Sequence, residues 1–478
     1  MINRPAQPFQ RLSLEQCRRL HTASLEILER TGARLYYQPA IDLLQDAGAS
    51  VSDGNRVRIP PKLVERAFDT VPHEVVLFDR HGEPAMHLSG FRSYFGTGSD
   101  CLNIIDHRTG ERRIPVLQDV VDGVTLCDAL PNIDFVMSMF LPADVPEVAS
   151  DRYQMEAMLN WTTKPLMVVT NEFSGCVDAV AMAEMVVGGT EALRERPLVA
   201  CYINVTTGLR HNEEALEKLL FLAERGLPAA YIPVALGGAT APITLAGNMA
   251  IWNAGCLVGL VLSQLRTPGA PFITTGWGAS ALDMRTATSP YVEPEKEFIA
   301  QELAHSYGLP MFALGGASDS KLTDQQAGIE AALSLVTKAL AGSHLVHDIG
   351  YLESGLTGSL VQVAVCDEII DWMRRALGPI VIDDETLALD LIDSVGPDGS
   401  FIEADHTLEH FRERWYPRLF ERWDYQGWQD RGAQDLTQRA AERVDEILNA
   451  HRPEALPDGV KRRLSAITSS AASGAPQV

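Results

Sequence analysis

The sequence predicts an α/β fold: a (β/α)8 TIM barrel with an N-terminal α/β extension and a C-terminal helical cap. Two observations predict it. From residue 92 onward, eight short apolar, β-favouring runs recur, and helix-length amphipathic segments separate them. Such strand–helix alternation is the signature of parallel βαβ units, and eight of them close into a barrel more readily than they spread into an open doubly wound sheet, which stays as the alternative.

Residues 1–90 read as a separate extension. Ser13 can cap a helix over 14–30 that ends at Gly32, a second helix covers 37–46, and a third covers 63–70 before a short strand at 74–79. In the barrel, residues 91–360, the strands fall at 92–95, 134–140, 166–170, 199–204, 229–236, 271–275, 310–314 and 344–348. Helices are expected at 117–129, 150–161, 176–188, 212–225, 243–265, 292–307 and 324–341. Residues 361–460 are charge-rich and helical and form the cap, with segments at 367–377, 384–394, 407–423 and 436–450. The stretch 461–478 ends in small polar residues and is expected to be a disordered tail.

Composition narrows the function classes. Lys plus Arg number 40 against 63 Asp plus Glu, a formal net charge of −23. That surface repels nucleic-acid phosphates and anionic lipid while tolerating a small cation. The seven cysteines are dispersed without a CxxC pair, as in reduced core thiols, and the N-terminus carries no export signal, so a cytoplasmic location is expected. Residues 226–265 contain no charge, and 243–265 are long enough to span a bilayer. Three prolines break the longer run, Asn248, Asn253 and Gln264 lie within its second half, and no basic cluster flanks it. A helix buried against protein, with a homo-oligomer as the expected assembly, is the better reading.

A barrel places its active site where strands end. The loops there are rich in small residues: Gly96 and Gly98 after the first strand, Asn204 at the fourth, Gly237 and Gly238 after the fifth, Gly276 after the sixth, and Gly315, Gly316 and Ser318 after the seventh. They let a bulky planar ligand approach the backbone. Aromatic residues recur beside them, namely Tyr94, Phe95, Phe140, Tyr202, Tyr231, Trp277, Phe312 and Tyr351. Rings around one cavity form the cage that quaternary ammonium ions prefer, although any single ring more often fills a barrel layer. Trp277, between two glycines, is the foremost candidate. His347 with Asp348 is a candidate for hydrogen bonding a substrate, and Asp319 for pairing with Lys321 or facing a cation. No arginine falls squarely at a strand end, and Arg285 is the single arginine candidate for a ligand contact.

Other motifs carry less. Gly276-Trp-Gly-Ala-Ser-Ala281 fits a loose dinucleotide fingerprint, but no helix opens at once and no acid follows suitably. His406 and His410 are four apart on an expected helix, without neighbouring Cys ligands, and read as a surface pair; no metal ligand set is expected.

Several segments resemble the trimethylamine:corrinoid methyltransferase superfamily. Near the start these are Leu25-Glu-Ile-Leu-Glu-Arg-Thr-Gly32, Leu43-Leu-Gln-Asp-Ala-Gly48 and Val57-Arg-Ile-Pro-Pro-Lys-Leu-Val64. In the core they are Gly315-Gly-Ala-Ser-Asp-Ser-Lys-Leu-Thr-Asp-Gln-Gln-Ala-Gly328 and His347-Asp-Ile-Gly-Tyr-Leu-Glu-Ser-Gly355. The resemblance implies the barrel fold and transfer of a substrate methyl to the cobalt of a corrinoid (cobalamin-type) group carried on a partner protein. Members acting on trimethylamine use pyrrolysine, whereas every residue here is standard. The resemblance therefore points to the branch acting on small quaternary amines, glycine betaine first. Within it, Trp277, Tyr94, Phe140, Tyr231, Phe312, His347, Tyr351 and Asp319 are the expected substrate contacts. Tetrahydrofolate as acceptor, a zinc-dependent methyltransferase and a non-catalytic betaine-binding protein are the rival readings.

Overall fold

The structure, a computed structural model, describes residues 9–276 and 280–473. Its centre is a closed parallel barrel. The strands are β1 (Tyr94–Phe95), β2 (135–136), β3 (Leu166–Val168), β4 (Val199–Val205), β5 (Ala229–Pro233), β6 (Phe272–Thr275), β7 (Met311–Leu314) and β8 (Leu345–His347). Neighbours from β3 through β8 pair in parallel, and β8 pairs with β1. Residues 135–136 close the ring through the bridges Gly96↔Phe135 and Val136↔Leu166. All eight strands fall on the expected runs, and closure removes the open-sheet alternative.

The barrel helices alternate with the strands: α1 (Leu117–Ala129), α2 (Ser150–Trp161), α3 (Phe173–Val187, followed by the short helix Thr190–Glu195), α4 (Glu213–Arg225), α5 (Leu245–Arg266), α6 (Ile299–Tyr307), α7 (Gln325–Leu340) and α8 (Leu360–Ala376). The last differs from expectation. The barrel does not end at residue 360, because α8 is its eighth helix and packs beside α7.

Two large cores hold most of the buried apolar residues. Tyr94, Phe135, Met137, Met167, Ala200, Ala230, Ile232, Ile273, Phe312 and Leu345 fill the barrel together with Val75, Leu77, Met86 and Leu88. The latter four belong to an antiparallel hairpin, Val75–Phe78 with Pro84–Leu88, which plugs the N-terminal mouth. The other core lies between the strands and the surrounding helices. With the bottom sealed, access is left to the C-terminal loops.

The N-terminal extension explains the uncharged helix. Ser13 and Gln16 form a reciprocal capping box at the start of Leu14–Glu26, which continues as a π turn, Ile27–Thr31, and stops at Gly32. A Cβ at Gly32 would lie 2.4 Å from the Val57 carbonyl oxygen, so the chain can turn there only with glycine. Helices Leu14–Glu26, Gln38–Asp46 and Pro61–Thr70 all pack on α5. By length and composition α5 could cross a membrane, but most of its apolar window is buried inside the protein. Its polar residues are matched to protein partners. Asn253 donates to Ser24 Oγ and Tyr307 Oη, both at 2.9 Å, and Gln264 accepts from Thr70 at 3.1 Å.

Beyond α8 the cap is uneven. Leu436–Ala450 packs on α8 and α1, and Asp458–Ser473 packs on α2 and α3. The expected disorder over 461–478 therefore does not hold through Ser473. Val460, Leu464 and Ile467 form one apolar stripe on that helix, with Leu464 fully buried. Between these regions, the segment 379–413 contains only short helices, Asp384–Leu387, Leu389–Val395 and Asp405–His410 with the 3-10 turn Phe411–Glu413, and none of its residues is buried. The expected helix over 384–394 breaks at Ala388, whose φ is 48°. Ile380 and Ile402 are 85% and 79% exposed on this arm.

Candidate active site

The strand ends bring together residues from six segments. His347 closes β8, and its ring stacks on Phe312 of β7 with centroids 4.0 Å apart. Tyr202 of β4 meets Phe312 edge-on at 5.4 Å and His347 at 6.3 Å. The His347 Nδ1 lies 2.7 Å from the Ala313 carbonyl oxygen, which orients the ring and leaves Nε2 3.4 Å from Asp348 Oδ1.

Asp348 is the focal group. It is buried, and its backbone takes a left-handed φ of 72°. That conformation turns the chain sharply after β8, and Asp tolerates it better than most residues. Burial pushes the Asp348 carboxyl above the ordinary aspartate range, while His347 and a hydrogen bond from Tyr291 pull it partly back. Tyr351 stands beside it and donates its hydroxyl to the Ser99 carbonyl oxygen. A Cβ at Gly98 would sit 2.0 Å from Asp348 Oδ1 and 2.5 Å from the Tyr351 hydroxyl. Gly98 thus makes the room in which both side chains pack.

Asp100, also at positive φ, accepts from Gln154 of α2 at 3.0 Å, and burial raises its pKa too. Burial, then the charges of Asp348 and Asp100, push the Tyr202 phenol up, so these rings remain neutral. Cys101 is held well above the usual thiol range by burial, which leaves it a poor nucleophile.

Tyr291 links this cluster to a cavity of about 330 Å³ at the end of β5. Pro233, Ala235, Leu236 and Trp252 give it an apolar wall, and Ser280, Thr288, Ser289 and Ser354 add hydroxyls. Asp319 positions Tyr291: its carboxylate accepts from the Tyr291 N–H at 2.9 Å and from Ser354 Oγ at 2.6 Å.

Of the expected contacts, Phe312, His347 and Tyr351 stand together, with Tyr202 and Asp348 beside them. The other expected contacts are placed differently. Tyr94 lies at the sealed bottom of the barrel, where its hydroxyl accepts the His87 N–H at 3.0 Å. Phe140 packs between α1 and the strand Thr357–Ser359, against Gly123 and Gly358. Tyr231 points outward from β5 onto Gly259 of α5, and its hydroxyl meets His211 Nδ1 at 2.7 Å. Asp319 acts through Tyr291, and Lys321 reaches its backbone carbonyl rather than its carboxylate. Arg285 is an exposed partner of Asp283, 2.7 Å away. Trp277 lies outside the described residues.

The small-residue loops all follow strand ends, but several are taken up by framework bonds. Ser318 Oγ donates to Glu330 at 2.6 Å, Gly315 and Gly276 donate to His347 and Phe312 carbonyls, and Gly237 and Gly238 lie in a turn paired to the loop after β6. Gly96 packs on Phe135, Gly316 donates to Ser334 Oγ at 2.9 Å, and Asn204 faces a second cavity with Thr170, Tyr202 and Lys218. Tyr291 was missed because it follows no strand directly. Tyr231→Phe is expected to lower stability by about 1 kcal/mol through loss of its buried hydrogen bond while leaving turnover unchanged, which denaturant melts and kinetics would check.

Comparison with known proteins fits this architecture. The family model for trimethylamine methyltransferase (MTTB) matches residues 1–473. Trimethylamine methyltransferase MttB of Desulfitobacterium hafniense (strain DSM 10664 / DCB-2) is 35% identical over 457 residues, covering 95% of this chain and 92% of that protein. The glycine betaine methyltransferase of Desulfitobacterium hafniense (strain Y51) is 30% identical over 463 residues, covering 95% of each. Among solved structures, the monomethylamine methyltransferase MtmB of Methanosarcina barkeri aligns with a TM-score of 0.51 at 12% identity, over 92% of this chain and 88% of that one, a likeness of fold. With a matching model over nearly its whole length and relatives of this extent, the chain belongs to the trimethylamine methyltransferase (MTTB) family.

Proposed function

We propose that this methyltransferase removes a methyl group from a small quaternary amine, glycine betaine or a related betaine, and passes it to the Co(I) of a corrinoid held by a separate protein. The observation that carries the reading is the buried Asp348 set among Tyr202, Phe312, Tyr291 and Tyr351. A carboxylate with aromatic faces around it suits an organic cation, which loses its water shell on entry and is repaid by charge and ring quadrupoles. A quaternary nitrogen departs as a neutral tertiary amine and requires no general acid. The protein's task is to aim the N–CH3 bond and exclude water, without holding the cation so firmly that losing its charge becomes costly.

Two further points support a betaine. The sequence contains no pyrrolysine, and the hydroxyls of Ser280, Thr288 and Ser289 on the cavity wall are donors that a substrate carboxylate requires. The cavity suits a small amine and is too small for a corrin macrocycle, so the acceptor would meet the substrate at the rim of the C-terminal loops. A reduced corrinoid supplies the strong nucleophile. The free, buried state of all seven cysteines supports a reducing, cytoplasmic setting, and the exposed apolar residues of the 379–413 arm support self-association.

The test is a panel of glycine betaine, other betaines, trimethylamine and a neutral methyl donor, offered with free cob(I)alamin while methylcobalamin absorbance is followed. Turnover of at least one betaine above trimethylamine is expected. Turnover of trimethylamine alone, or of the neutral donor alone, would overturn the assignment. Replacing cob(I)alamin with tetrahydrofolate checks the acceptor: methyl transfer there and not to cobalt would redirect it.

A further inference from the structure

We propose that the 379–413 arm carries a binding site for a borderline first-row dication of the zinc type, formed by Glu385, His406 and His410. One ligand atom from each of the three lies within 4.8 Å of the others. The two histidines sit four residues apart on the helix Asp405–His410 and its end, so their rings share one face, with centroids 4.3 Å apart. Glu385 arrives from a different helix, Asp384–Leu387, and its Oε1 is 3.5 Å from His410 Nε2.

The group behind His410 points the same way. His410 Nδ1 lies 2.9 Å from Glu413 Oε1. A carboxylate there anchors the Nδ1 edge of the ring and turns Nε2 toward Glu385. That carboxylate–imidazole pairing recurs behind metal-ligating histidines. His410 Nε2 is itself shielded from solvent and makes no aligned hydrogen bond. Two imidazoles and one carboxylate suit zinc-type ions, with water completing the coordination.

The arm is ordered only by surface contacts, among them the Asp383–Thr386 capping box. No residue from 379 to 413 is buried, so its short helices have no apolar core, and Ala388 and the Gly396–Gly399 turn interrupt them. Segments too small to form a core are commonly held by a metal or a covalent link. A dication bridging Glu385 to His406 and His410 would tie the first helix of the arm to its last. The site lies apart from the barrel cluster in sequence and chemistry, and it does not depend on what the barrel catalyses.

The test uses the full chain, freed of metal with a chelator and titrated with zinc chloride by calorimetry. Wild type is expected to show one saturable site per chain. The double variant His406→Ala/His410→Ala should bind roughly a hundredfold more weakly or not at all, and Glu413→Gln roughly tenfold more weakly. As a readout independent of heat, zinc should slow tryptic cleavage after Arg412 and Arg414 in wild type and not in the double variant. Equal zinc affinity in wild type and the double variant, or no saturable binding in wild type, would overturn the proposal.

Discussion

Asp348→Asn is expected to raise the KM for a cationic N-methyl substrate roughly a hundredfold while leaving the chain at least as stable as wild type at neutral pH. The kinetic half follows from removing one partner of a buried charge pair, which costs about 3 kcal/mol or more. The stability half follows from the sign of the pKa shift. Burial raises the Asp348 pKa in the folded chain, so the native state holds that proton more firmly than the unfolded state does. The associated stability is full below the ordinary aspartate pKa and is lost as pH climbs through the raised one. Above that raised pKa the ionised carboxylate is a cost that asparagine does not carry, and asparagine also tolerates the φ of 72°. The same shift sets a pH signature. Wild-type affinity for the cation should begin to fall on acidification at a higher pH than an ordinary carboxylate would dictate, and the Asn variant should lack that limb. Steady-state kinetics across the acid range, with thermal melts alongside, check both halves. An unchanged KM in the variant would remove Asp348 from contact with the substrate.

The barrel was legible because its strands are short, apolar and separated by helices long enough to cross over. Which way each side chain points was much less so. In a parallel barrel both faces of a strand are buried, and the alternation that marks inside from outside disappears. Tyr231 shows this: Ala230 and Ile232 beside it face the barrel interior, while Tyr231 faces α5. Tyr94 fails for a second reason, since it lies at the bottom of its strand, under the hairpin, and only the last residues of a strand reach the site. His347 and Asp348 were recognisable because both features coincide there, polar residues and a strand end. Tyr291 left no local trace. Its position depends on Asp319, a residue from the next βα loop, and that pairing exists only in three dimensions. The approach of Glu385 to His410 on the 379–413 arm left no local trace for a related reason, because the two are distant in sequence and meet through chain reversals at weakly helical positions.

Gly98→Ala is expected to lower kcat/KM by roughly a hundredfold or more, the scale of a displacement of about 1 Å in a reacting centre. The added methyl has no soft neighbour to displace. Its carbon would lie 2.0 Å from Asp348 Oδ1 and 2.5 Å from both Cζ and Oη of Tyr351. Asp348 is anchored by its own strained backbone, and Tyr351 by its hydrogen bond to the Ser99 carbonyl. Gly98 cannot retreat cheaply either, because its carbonyl oxygen accepts the Met139 N–H at 2.9 Å. Relief must come from moving the carboxylate or the phenol, the two groups that define the floor of the candidate site. Stability should fall by about 1–3 kcal/mol, as in other overpacked interiors. Gly328→Ala provides the contrast. That glycine lies within α7 with nothing within 4 Å of the new Cβ, so the substitution should leave turnover intact and add up to about 1 kcal/mol of stability. Melting curves and initial rates for the two variants separate a general glycine effect from a local one. If Gly98→Ala loses stability yet keeps full turnover, the Asp348–Tyr351 pair belongs to the framework of the barrel and not to its chemistry.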